Sequence, residues 1–370
     1  MSLTVSTLKA PFPWFGGKRK VAQMVWNALG DVQNYVEPFF GSGAVLLARP
    51  PRHQNWVETI NDRDAFVANF WRALSYAPDE VAQHADWPVN EADLFSRHLW
   101  LVNEGKRRMQ AGMDADPEWF DAKIAGWWVW GICQWIGSGW CNGQGPYTYE
   151  SLGLVDSGDN PAKKQLPSLS HAGQGINRQL VHLGDAGQGI NRQHVHLGDA
   201  GRGVNRQLVH LGDAGQGDGM IPRNEALYEY MRQLAARLRN VRVCCGDWSR
   251  VVTRGALNYG ATVGVFLDPP YSGAANREAD LYAVDDLDIA HDVREWCITN
   301  GDNPRYRIVL AGYEDEHAAH MPHTWRMVTW KANGGMGNNG DGSNLNRHKE
   351  RLWLSPHCLR PTPTLFEVGD

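Results

Sequence analysis

Residues Thr262 to Tyr271 read Thr-Val-Gly-Val-Phe-Leu-Asp-Pro-Pro-Tyr. The first six are mostly β-branched or apolar and do not alternate, the pattern of a strand buried on both faces. Asp268 closes the run, and Pro269 and Pro270 cannot continue a central strand. A carboxylate is thereby set at the carboxyl edge of a sheet, on a stiff turn, with the ring of Tyr271 beside it. That edge is where open α/β sheets bind ligands. Alone, Asp-Pro-Pro is an ordinary strand-ending turn, so its meaning depends on the other stretches of the chain.

A second stretch runs from Asn34-Tyr35-Val36-Glu37, a short strand, into Pro38-Phe39-Phe40-Gly41-Ser42-Gly43-Ala44-Val45. A strand, a glycine turn and an apolar helix start together suit a nucleotide-like ligand. Glycine lets backbone approach it closely, and the helix start offers free N–H groups. The dinucleotide fingerprint GxGxxG is absent, so a nicotinamide dehydrogenase is not indicated. Asp62 lies 19 residues after Gly43, near the roughly 20-residue offset at which an acid meets ribose hydroxyls. It could equally cap the helix that follows. A third stretch, Pro13-Trp14-Phe15-Gly16-Gly17-Lys18, is by itself only a loop with two glycines.

The elements that must hold these residues follow from periodicity. Helices are expected at Lys20–Leu29, Asp64–Leu74, Glu91–Gln110, Pro117–Ile136, after Pro222 and at Ile289–Thr299. Strands are expected at Asn34–Glu37, Trp56–Ile60, Val241–Cys245, Thr262–Leu267, Tyr306–Ala311, Trp325–Trp330 and Arg351–Leu354. The expected fold is α/β, with residues 1–76 and 223–370 forming one sheet and residues 77–222 inserted between its halves. The insertion carries an exact repeat of period 14: Ala172–Asp185, Ala186–Asp199 and Ala200–Asp213. A cation recurs in step at Lys164, Arg178, Arg192 and Arg206. Short repeats can stack equivalent side chains into a ladder, while the glycine content equally permits a flexible arm.

Composition sets the limits. A chain of 370 residues with 42% hydrophobic content can bury a substantial core. A formal charge of −5 argues against indiscriminate coating of nucleic acid but leaves room for a local basic face. The six cysteines show no metal-ligand spacing or disulfide framework, which points to a reducing compartment. No apolar run approaches the roughly 18 residues of a membrane helix. With no signal-peptide pattern either, the expectation is a cytoplasmic protein without membrane or metal.

Taken in order, the Pro13–Lys18 hexad, Glu37-Pro38-Phe39-Phe40-Gly41-Ser42-Gly43 and Asp268-Pro269-Pro270-Tyr271 resemble the Dam-type adenine-N6 DNA methyltransferases. The resemblance covers roughly residues 11–75 and 225–355. It implies a Rossmann-like seven-stranded core using S-adenosylmethionine, double-stranded DNA as substrate, and a target-recognition region where the insertion lies. By the same resemblance Trp14, Gly17 and Lys18 meet the methionine end of the cofactor. Glu37, Phe39, Gly41 and Gly43 line its amino acid and sugar, Asp62 holds the ribose, and Asp247 lies near the adenine. The repeat and its cations, Lys164, Arg178, Arg192 and Arg206, fall in the recognition slot and are expected to contact DNA.

The chemistry agrees with that assignment. The exocyclic amine of adenine is a poor nucleophile because its lone pair is delocalised into the ring. Asp268 and the Pro269 carbonyl, accepting its two N–H bonds, would localise that pair, and Tyr271 would stack on the base. The base must leave the duplex to reach such a pocket. Cytosine N4 or an RNA adenine would suit the same acceptors, and an idle DNA-binding scaffold is a further alternative. The joint presence of Asp268, Tyr271, Lys18 and both glycines weighs against the idle scaffold.

Overall fold

Five consecutive buried residues, Val263–Leu267, form the middle strand of a seven-stranded sheet. The structure, a computed structural model, describes residues 8–14, 17–50, 56–135, 140–141, 223–270, 289–330 and 350–360. Tyr271, the 14-residue repeats and the four cations Lys164, Arg178, Arg192 and Arg206 lie outside the described residues.

The described elements run in this order: α1 (Ala22–Leu29), β1 (Asn34–Glu37), α2 (Ala44–Leu47), β2 (Val57–Asp62), α3 (Ala65–Tyr76) and α4 (Pro78–Ala85). Next come α5 (Glu91–Trp100), α6 (Lys106–Ala115), α7 (Ala122–Gln134), α8 (Arg223–Leu238), β3 (Val241–Cys245) and β4 (Val263–Leu267). The chain continues with α9 (Ile289–Asn300), β5 (Tyr306–Tyr313), α10 (Glu314–His317), β6 (Arg326–Thr329) and β7 (Glu350–Leu354). The strand order is β3-β2-β1-β4-β5-β7-β6. β3, β2, β1, β4 and β5 pair in parallel, and β7 alone runs against its two neighbours. All seven strands lie outside residues 77–222.

Strand residues alternate between the two faces of the sheet, and the burial follows that rule. Val263, Val265 and Leu267 of β4, with Ile308 and Leu310 of β5, pack beneath α9 against Val293 and Cys297. Phe266, Val309 and Ala311 face the other way, into a larger core built from α1, α3, α4, α7 and α8. Trp71, Trp128 and Trp130 are fully buried in that core. Trp128 and Trp130 of α7 are therefore packing material, and α4 and α7 share one core with the sheet.

One buried ionic group ties this layer to the sheet. Glu58 of β2 accepts from Arg49 Nη1 at 2.8 Å and from both terminal nitrogens of Arg237 on α8, at 2.7 and 2.8 Å. Arg49 also donates to the Val32 carbonyl at 2.6 Å and lies over the rings of Trp26 and Trp56.

Three local expectations need correction. β2 runs through Asn61 and Asp62 instead of ending at Ile60, because Asn61 and Asp62 pair in register with Cys244 and Cys245 of β3. The helix expected at Glu91–Gln110 extends to Ala115 and is broken by a π turn, Leu101–Gly105. β7 begins one residue early, at Glu350.

Candidate active site

The parallel strands β1 and β4 are neighbours, so the turn after β1 and the turn after β4 open at the same sheet edge. The ends of β2 and β3 lie beside them. All the motif residues that the structure describes gather along this edge, at the point where strand order reverses direction from β1.

The glycine turn is held in a conformation that other residues resist. Gly41 and Gly43 have φ of +50° and +72°, in the left-handed region that glycine enters without penalty. A methyl group on Gly41 would collide with the Trp14 indole. Trp14 packs edge-on against Phe12, 5.8 Å away. Trp71 Nε1 donates to the Gly41 carbonyl at 2.9 Å, and the Gly41 N–H donates to Asp62 Oδ2 at 2.9 Å. The hexad thus supplies a wall, Trp14, that requires the glycine opposite it.

Asp62 is not the helix cap. Asp64 takes that role, accepting from the Phe66 N–H at 2.8 Å with extended backbone. Asp62 accepts instead from Gly41 and, at 2.9 Å, from the Asp64 N–H. Burial, with Asp64 close by, pushes its carboxyl up to about 7. Asn61, buried at 2% exposure, donates to the carbonyls of Pro38 and Gly246 at 3.0 and 2.9 Å and stitches the ends of β1, β2 and β3 together.

Glu37 lies under the turn, 2% exposed, and accepts from the Tyr35 hydroxyl at 2.8 Å. Burial raises its carboxyl well above the usual range. Phe39 is half-buried and lies nearly parallel to Trp248, with centroids 6.2 Å apart. Asp247 is exposed and caps the short 3-10 turn Trp248–Val251 through the Ser249 N–H, at 2.9 Å.

Asp268 follows β4 directly, with Pro269 and Pro270 next in the chain. The Lys18 ammonium sits 3.0 Å from its Oδ1 and 3.8 Å from Glu350 Oε2. Lys18 is 4% exposed although it is a lysine in a loop. Its carbonyl accepts the Ala22 N–H at 2.9 Å, and Gly17 closes the preceding turn through the Trp14 carbonyl at 3.1 Å. Burial raises the Asp268 carboxyl to about 6; Lys18 opposes the shift and Glu350 adds to it. Among the described residues no group of three or more His, Cys, Asp or Glu could hold a metal ion. No described helix is long and apolar enough to cross a membrane.

Asn61, Asp64 and Glu350 also belong to this site, and sequence pattern alone did not mark them as site residues. An Asp directly ahead of an apolar helix was a readable cap signal for Asp64. Glu350 had no such signal, because its place depends on the direction of β7.

A mostly parallel seven-stranded sheet with a glycine turn after β1 and a carboxylate after β4 is consistent with a Rossmann-like methyltransferase fold. Residues 14–98 match the family model of D12 class N6 adenine-specific DNA methyltransferases, consistent with a Dam-type adenine methyltransferase. No curated protein matches the chain.

Proposed function

We propose that the chain is a site-specific DNA methyltransferase acting on adenine N6 in a flipped-out base, with S-adenosylmethionine as methyl donor. The observation that carries this reading is the 3.0 Å pairing of Lys18, inside the matched segment, with Asp268, far outside it. That contact joins the family-like half of the site to the acceptor that the chemistry needs.

The residues present fit the cofactor. Asp62 and Asp247 are hydrogen-bond acceptors at the ends of β2 and β3, suited to hydroxyl and amine donors, and Phe39 and Trp248 offer apolar faces between them. Trp14 stands against Gly41 of the glycine turn, and Glu37, buried at the end of β1 just before that turn, lines the cofactor's amino acid and sugar with Phe39, Gly41 and Gly43. When bound, S-adenosylmethionine supplies an activated methyl: the amine lone pair forms the N–C bond as the C–S bond breaks, and sulfur keeps that electron pair. Asp268 and the Pro269 carbonyl accept the two N–H bonds of the target amine and stabilise the positive charge that develops on nitrogen. The nitrogen then loses one proton, which Asp268 can accept because its carboxyl titrates near 6. Tyr271 stacks on the base, and within residues 77–222 the part beyond the core helices α4 and α7 provides target recognition, with Lys164, Arg178, Arg192 and Arg206 meeting phosphates or base edges. The free cysteines suit a reducing, cytoplasmic setting.

Nucleoside analysis of DNA incubated with the protein and methyl-labelled S-adenosylmethionine tests the reading. N6-methyladenine is the expected product. Label in N4-methylcytosine or in RNA would assign another amine, and DNA binding without label would indicate an idle scaffold.

Asp62→Ala should weaken S-adenosylmethionine binding by about 10- to 150-fold, the loss of a charged hydrogen bond of roughly 1.5–3 kcal/mol. Hydroxyl donors need the ionised carboxylate, whose folded-state titration lies near 7. Parent affinity should therefore be fully present above pH 7 and decline as pH falls through 7, and the variant should lose that dependence. Calorimetric titration at pH 6 and pH 8 reads both effects. Unchanged affinity with a lower melting temperature would reduce Asp62 to a support for Gly41.

A further inference from the structure

Lys18 faces two carboxylates, and its contact with Asp268 takes up one of the two carboxylate oxygens. Ammonium and amine are both donors, so the contact leaves the amine fewer of the roughly four lone-pair sites on that carboxylate. A buried ammonium with Asp268 as its sole anion would stay there, since an uncompensated buried charge is costly. The second carboxylate, Glu350 Oε2, lies 3.8 Å from the same nitrogen. It is there for a topological reason. β7 runs against β5, so its first residue lies opposite Tyr313, the last residue of β5, at the edge where the parallel strands end. Glu350 is 8% exposed, so it faces the site and not bulk water.

We propose that Glu350 is a positioning residue that offers Lys18 an alternative carboxylate, so that the ammonium can leave Asp268 Oδ1 when the target amine arrives. The inference rests on the methyl-transfer reading above. The charged groups acting on Asp268 are Lys18 from the loop before α1 and Glu350 from β7, while Asp268 in turn helps raise the carboxyl of Glu37 on β1. The neighbouring Arg351 is engaged elsewhere, 2.6 Å from Glu314 Oε2. Glu350 also raises the Asp268 carboxyl directly, so its removal acts in one direction. The anion is lost, Lys18 settles on Asp268, and both changes favour the ionised but occupied carboxylate.

The test compares the full-length parent with Glu350→Gln and Glu350→Asp. The Asp268 carboxyl is followed by carbon-13 NMR titration, its signal identified by its loss in Asp268→Asn, and kcat and KM are measured on DNA. With glutamine, the Asp268 midpoint and the acid limb of kcat should both move to lower pH. The rate plateau should fall roughly tenfold to a hundredfold, the scale of a misplaced catalytic group, with both KM values within about twofold. Glu350→Asp keeps the charge and should give an intermediate kcat with an Asp268 midpoint near that of the parent; it carries the comparison if the glutamine variant does not fold. An active parent whose Asp268 midpoint and kcat are unmoved by Glu350→Gln overturns the inference alone. A parent without methyl transfer overturns the functional reading and the exchange with it, whatever the titration shows.

Discussion

Asp268→Ala should lower methyl transfer by about 10²–10³-fold, while S-adenosylmethionine affinity stays within about threefold of the parent. One preorganised acceptor aimed at developing charge contributes about 3–4 kcal/mol, which is that factor in rate. Apart from Trp14, Gly17 and Lys18, the proposed cofactor contacts lie at the ends of β1, β2 and β3, whereas Asp268 follows β4, and of all these residues only Lys18 touches it, so binding is largely separable from chemistry. The fold should tolerate the change, because Lys18 keeps Glu350 within 3.8 Å. The acceptor works only when ionised, and burial holds its carboxyl near 6. Parent turnover should therefore be full above pH 6 and fall as pH drops through 6, and the residual rate of the variant should lack this limb. Single-turnover rates from pH 5 to 8 check both points. A variant keeping more than about a tenth of the parent rate would remove Asp268 from the chemistry.

Much of this site was legible because its signals are local. The run Val263–Leu267 followed by Asp-Pro-Pro names a buried strand and its end within ten residues, and the structure places β4 there, in the middle of the sheet. The Gly41 and Gly43 turn was equally plain, since both positions need positive φ. The missed features depend on distant partners. Whether Asp62 or Asp64 caps α3 turns on which has the extended backbone and which points at Gly41. Glu37 is assigned to the cofactor by the resemblance alone, and its burial was not readable beside that; Tyr35, two residues earlier and so on the same face of β1, donates the hydroxyl that accompanies it inside. Glu350 was invisible for a deeper reason. Glu-Arg-Leu-Trp-Leu reads as a strand in either direction, and only antiparallel pairing with β5 brings its first residue to the active edge.

Glu58→Ala should destabilise the protein by about 3–5 kcal/mol, the usual cost of removing one partner from a buried ionic group. Glu58 is 3% exposed and serves two arginines, so its loss strands the cations of Arg49 and Arg237 together. Arg49 has little escape: its side chain is 1% exposed, fixed to the Val32 carbonyl and covered by Trp26 and Trp56. Burial already lowers its guanidinium pKa, and Glu58 opposes that effect. The midpoint of thermal unfolding should drop by about 5 °C. A geometric comparison separates burial from pairing as such. Arg232 also grips a carboxylate with two nitrogens, at 2.7 and 3.1 Å from Asp79, but both partners are more than half exposed. Arg232→Ala should move the midpoint far less, since exposed pairs are hydrated before and after. Equal shifts from the two variants would mean that the Arg49–Glu58–Arg237 group is wet in solution, and that α8 is not tied to β2 through a dry ionic contact.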